Sequence, residues 1–104
     1  MKDITYMALN LVGQERVKQD EKWGDEHINH LFKWMSILME EVGELAEAAN
    51  ESCIKTEHTK PEKGGRKAVL KEAVHVAAVA VSIIEAVLQS YEENFPEALG
   101  EKVI

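Results

Sequence analysis

The sequence predicts an all-α protein, an antiparallel bundle of three main helices completed by oligomerisation. Three observations lead there. Apolar residues recur at three- and four-residue spacing in three long segments. No segment competes as a strand. The third segment is apolar over most of its circumference, and two companion helices in a 104-residue chain cannot cover it on every side.

Ile4, Ala8, Leu11, Val12 and Val17 mark the first helix, from about Asp3 to Lys22, with Asp3 placed to cap it. Arg16, Gln19 or Asp20, and Trp23 align on its later turns, so a cation, an amide and an aromatic can face one space. Gly24 is the expected stop. Trp23 reads either as an apolar plug at a helix end or as a stacking platform for a base, and His27 and His30 read as loop or capping residues. The second helix opens at Asn29 or His30, carries Leu31, Phe32, Trp34, Met35, Ile37, Leu38, Val42, Leu45 and Ala48, and fades near Ser52. Gly43 lies in its middle at a cost of about 1 kcal/mol against alanine, which close approach of another helix or a ligand would explain.

From Cys53 to Gly65 the composition turns to Lys, Thr, Glu, Pro61 and Gly64-Gly65, the signature of a solvated loop. Its lysines serve either solubility or closure over a polyphosphate. The third helix runs from about Arg66 to Glu93 with a narrow polar strip of Lys71, Ser82, Glu85 and Gln89. Phe95-Pro96 ends it, and the tail from Glu97 is too short to assign.

The length fits one domain spanning residues 1–104. A net charge of −7 and the lack of a basic run argue against nucleic acid as a partner. The lone Cys53 offers no intrachain disulfide, and Met1 to Gln14 lacks the pattern of a secretory signal, so a cytoplasmic setting is expected. The most apolar run, Ala73 to Leu88, is interrupted by His75 and Glu85 and falls short of the roughly 20 residues a bilayer needs, so no membrane span is expected.

The second helix carries a conflict. Trp34, Ile37, Leu38, Leu45, Ala48 and Ala49 share one broad arc at about 100° per residue; Glu41 falls in its middle, Glu44 at its edge and Glu40 just outside. A carboxylate facing a core must be protonated, paired with a cation or bound to metal. The third helix repeats the conflict, with Glu72 in line with Val76, Val79 and Ile83, and His75 on the same side. Isolated EExxE runs are mostly solvated acidic faces, but such faces lie opposite the apolar stripe and Glu41 and Glu72 lie within it. Several convergent oxygen ligands suit a hard divalent cation such as Mg²⁺, commonly held by a few carboxylates, water and substrate phosphates.

At these residues the chain resembles a family. Glu40-Glu41-Val42-Gly43-Glu44, followed after 27 residues by Glu72-Ala73-Val74-His75, is similar to the EExxE, spacer, ExxD motif of the MazG-like all-α nucleoside triphosphate pyrophosphohydrolases. Glu15 to Gln19, Lys22-Trp23-Gly24 and Trp34 are similar to short phage- and bacterial-type members. His75 stands where the family usually has Asp. The resemblance implies hydrolysis of a nucleoside triphosphate to monophosphate and pyrophosphate, with Glu41, Glu44 and Glu72 holding Mg²⁺ and His75 in the fourth slot, directly or through water. Mn²⁺ is a possible substitute because imidazole favours the softer ion. Glu40 would orient or deprotonate the attacking water. Arg16, Gln19, Lys22 and Trp23 would contact phosphate and base, in a homodimer or homotetramer.

Two other classes use the same residues. Diiron carboxylate bundles employ Glu-x-x-His on paired helices, and a dimer would present Glu72-Ala73-Val74-His75 twice. A helical dimerisation module that has lost catalysis through the change at position 75 is the non-enzyme alternative.

Overall fold

The computed structural model describes residues 1–24, 31–53 and 65–94, and these form three α-helices: α1 (Asp3–Trp23), α2 (Leu31–Cys53) and α3 (Arg66–Asn94). The described residues contain no strand. Expectations for residues 25–30, 54–64 and 95–104, including those for His27, His30 and the lysines of the second connection, lie outside the described residues.

Local chemistry sets the helix ends. Asp3 is the first helical residue and not the cap; Lys2 occupies the cap position without a side-chain hydrogen bond. The carboxylate of Asp3 instead complements the positive end of the helix dipole from the first turn. Gly24 ends α1 as expected: its φ of 81° suits a residue without Cβ, and its N–H donates to the Asp20 carbonyl at 2.8 Å. Gly65 adopts φ 93° ahead of α3, and its carbonyl accepts from Val69 N–H at 3.0 Å. Ser52 joins α2 to this turn, since its hydroxyl donates to the Ala48 carbonyl and accepts from Gly65 N–H.

α3 packs on both α2 and α1. Small side chains build the centre: Ala78, Val79, Ser82 and Ala86 of α3 are buried, with Trp34 and Ala48 of α2. Ile37, Leu38, Leu45 and Ala49 are half-buried beside them, as the arc on α2 requires. Two contacts join α2 to α3 and the turn before it: Ser52 with Gly65, and Glu41 with His75.

α1 departs from its sequence pattern. Its buried residues are Arg16 and Gln19, whereas Ile4, Leu11 and Val17 are exposed and Val12 is only half-buried. The helix docks through charge. Arg16 Nε and Nη2 donate to the two oxygens of Glu85 at 3.0 and 2.8 Å, Nη2 also meets Asp20 at 2.7 Å, and Nη1 donates to Gln19 at 3.1 Å. The hydrogen bond to Glu85 is the main force holding the Arg16 proton more firmly than usual, against the opposing effect of burial. A two-pronged guanidinium–carboxylate contact thus ties α1 to α3.

The same tie alters the polar strip of α3. Ser82 is fully buried, with its hydroxyl directed at the Ala78 carbonyl, and Glu85 faces α1. Lys71 and Gln89 of the strip are exposed, and the solvent side of α3 also carries Leu70, Ile84, Val87 and Leu88. With 29 residues and an 18-residue window of mean hydropathy 1.7, α3 is also long and apolar enough to cross a membrane by length and composition, which corrects the length argument made from Ala73 to Leu88. No described residue makes a close approach at Gly43, where a Cβ would meet nothing within 4 Å.

Candidate metal centre

Each helix delivers one carboxylate to His75. On α3, Glu72 lies three residues before His75, and its Oε2 is 3.5 Å from His75 Nδ1. Across the α2–α3 seam, Glu41 Oε2 is 3.4 Å from the same nitrogen. From α1, Glu15 Oε1 lies 3.7 Å from Nε2, on the opposite edge of the ring. His75 is about a quarter exposed and the carboxylates less.

Glu41, Glu72 and His75 each offer one ligand atom, and all three atoms lie within 4.8 Å of one another. Glu41 Oε2 and Glu72 Oε2 are buried and have no hydrogen-bond partner among the described residues. An uncompensated buried carboxylate oxygen costs on the order of 1–3 kcal/mol or more, so this arrangement fits a cation supplied from outside. Two acidic oxygens and an imidazole suit Mn²⁺ well and Mg²⁺ acceptably.

Glu44 lies close to this group. Its carboxyl is pushed above the ordinary carboxylate range, first by loss of solvation, then by the charges of Glu41 and Glu72, a hydrogen bond shared with Glu72, and the charge of Glu40. Such crowding is what a bound cation relieves. Glu40, about one turn before Glu44, is exposed.

The other predicted residues make contacts of their own. Arg16 and Gln19 form the buried network with Glu85 and Asp20. Trp23 meets Trp34 edge to face, with ring centroids 5.5 Å apart and planes at 79°, and Lys22 Nζ sits 4.8 Å from the centre of the Trp23 ring. This aromatic pair joins the end of α1 to the start of α2, and Trp23 keeps an exposed share of its surface.

Sequence reasoning gave Glu15 no role at the cluster. It falls one turn after Leu11 and Val12 on α1 and so shares their arc, a signal of the same kind that marked Glu41 on α2.

Compared with protein-family models, with curated proteins and with solved structures, the chain matches none.

Proposed function

We propose that this chain is a divalent-metal-dependent hydrolase of nucleoside triphosphates that releases nucleoside monophosphate and pyrophosphate. The observation that carries the proposal is the convergence of two buried, unpartnered carboxylate oxygens, Glu41 Oε2 and Glu72 Oε2, on His75 Nδ1. Glu41, Glu44 and Glu72 would hold Mg²⁺ or Mn²⁺, with His75 binding directly or through water. When bound, the cation neutralises phosphate oxygens and orients the phosphoryl group, which is most of what phosphoryl transfer demands.

The chain's own residues supply the rest. Glu72 and His75 are set by the rigid turn of α3, and Glu41 by its packing from α2, so the donor atoms are held before substrate arrives. Glu40, exposed beside the cluster, can accept a proton from the attacking water. Trp23 and Lys22 offer an aromatic face and a cation for base and phosphate, and Arg16 and Gln19 fix the helix that carries them.

The proposal includes an antiparallel bundle completed by a second copy in a homodimer or homotetramer. The order of contacts along α2 and α3 supports the antiparallel sense. The exposed apolar side chains of α1, Phe32 and Met39 of α2, and Ile84 of α3 support the second copy. A soluble, cytoplasmic setting goes with this reading, because Glu72, His75 and Glu85 turn the apolar α3 toward charged neighbours in protein.

Incubation with a panel of nucleoside triphosphates and Mg²⁺, with separate detection of pyrophosphate and orthophosphate, tests class and bond position together. Pyrophosphate release is expected. Absence of any release, with iron bound and a carboxylate-bridged absorption band, would favour the diiron reading; absence of both release and metal binding would favour the dimerisation module.

A further inference from the structure

We infer that the cleft between α1 and α3 is the oligophosphate-binding arm of this site, with Lys18, Lys67 and Lys71 as its anion contacts. The inference rests on the polyphosphate reading above and assigns the residues that would receive the phosphates.

The cleft is open to solvent and offers about 360 Å³, and His75 forms part of its wall. On α3, Lys67, Lys71 and His75 follow one another at intervals of one turn, so they form a single line about 12 Å long on one face of the helix. That line ends at the ring whose other contacts are Glu41 and Glu72. Lys18 enters the same cleft from α1. Leu11, Leu70 and Val74 provide apolar lining, which suits a ligand with an uncharged portion beside its charged one.

Charge singles this place out. The chain carries a net −7, so a small anion is repelled by its overall field unless cations are gathered locally. Three lysines converge here, against one carboxylate, Glu15, which faces His75 Nε2 at 3.7 Å. The guanidinium of Arg16, the other cation of this part of α1, already meets two carboxylates and an amide and has little to give a phosphate. Lysine is a point charge well suited to phosphate oxygens without a fixed geometry. An anion lying along the lysine line would present one end to His75 and the carboxylates, where only a cation could reconcile the two negative groups.

The test uses the full chain and inorganic tripolyphosphate as probe, with binding measured by calorimetry at excess Mg²⁺ in wild type, Lys67→Gln/Lys71→Gln, Lys18→Gln and the control Lys33→Gln on α2. The double variant should bind at least roughly tenfold more weakly and Lys18→Gln several-fold more weakly, with the control unchanged, and the wild-type affinity should fall as salt rises. All four lysines are exposed, so folding is retained and is checked by helicity. Unaltered binding in the double variant, or no tripolyphosphate binding by wild type, would overturn the inference. Failure of the parent reading looks different: pyrophosphate release would be absent while the lysine-dependent binding persisted. Conversely, release that survives in both lysine variants at the wild-type KM leaves the hydrolase and removes the cleft.

Discussion

Glu41 Oε2 and His75 Nδ1 face each other at 3.4 Å across the seam between α2 and α3, and the carboxylate oxygen has no hydrogen-bond partner among the described residues. The contact admits two chemistries. A protonated imidazole would neutralise Glu41 and Glu72 without a metal, whereas a neutral imidazole leaves their charges for a cation. The proposal takes the second, and the two differ in sign under mutation. Glu41→Gln and Glu72→Gln should each raise the metal-free melting temperature slightly, by the equivalent of about 1 kcal/mol or less, because an amide relieves repulsion among the carboxylates. Each should also abolish the Mg²⁺-induced rise in the midpoint that any ligand of the folded state produces, together with most turnover. A lower metal-free midpoint in both variants would indicate an imidazolium knot instead.

Glu44 gives the same cluster a pH signature. Its carboxyl binds a proton more tightly in the folded protein than in the unfolded chain, chiefly through lost solvation and then through the charges of Glu41 and Glu72. A raised folded-state pKa contributes stability below the unfolded carboxylate range, and that contribution is lost as pH rises through the folded value. Without metal, wild type should therefore lose stability relative to Glu44→Gln as pH increases across that window. Saturating Mg²⁺ should reverse the trend, because it favours the ionised form. Thermal melts of both proteins across acidic to neutral pH, with and without Mg²⁺, measure this; parallel curves would place Glu44 outside the cluster's field.

Arg16 should prove structural in its energetics. Arg16→Met keeps the aliphatic volume but removes every hydrogen bond to Glu85, Asp20 and Gln19, and should destabilise the protein by about 1–3 kcal/mol. The lower half of that range is expected, because the side chain of Glu85 is 41% exposed and can be rehydrated. Urea denaturation followed by helicity gives the value. An unchanged midpoint would mean that α1 is held by something other than this ion pair.

The three helices were legible because α2 and α3 have the periodicity of elements that bury one face, and Glu41, Glu72 and His75 interrupted that periodicity at positions which do converge. The docking of α1 was not legible. Its apolar stripe suggested burial through Ile4, Leu11 and Val17, yet these are exposed and the helix is fixed by Arg16, whose partner Glu85 lies 69 residues away in a sequence that gives no local hint of the pairing. Likewise, the polar strip on α3 hid a division between buried Ser82 and exposed Gln89 that depends on which neighbour each position meets.

A mid-helix glycine suggests close approach, and the open space around Gly43 in the single chain carries a prediction of its own. Gly43→Ala should stabilise the chain by about 1 kcal/mol through helix propensity alone. Denaturation midpoints measure it; a destabilised variant would mean that a second copy packs against this turn of α2.

His75→Asp tests the one position at which the sequence departs from the EExxE, ExxD pattern. The substitution replaces an imidazole, whose Nδ1 lies 3.4 and 3.5 Å from Glu41 and Glu72, by a third carboxylate in the same group. Without metal, like charges gain a neighbour and lose the ring, so the metal-free midpoint should fall. With metal, a harder and more negative donor set favours Mg²⁺, and the advantage of Mn²⁺ that imidazole confers should shrink. Titrating the melting temperature of each protein with Mg²⁺ and with Mn²⁺ separates the two effects, since the ion concentration at which the rise begins reports affinity and the starting value reports repulsion. If His75→Asp lowers the metal-free midpoint while Mg²⁺ and Mn²⁺ raise it as in wild type, His75 holds the three helices together through Glu15, Glu41 and Glu72 and is not a ligand.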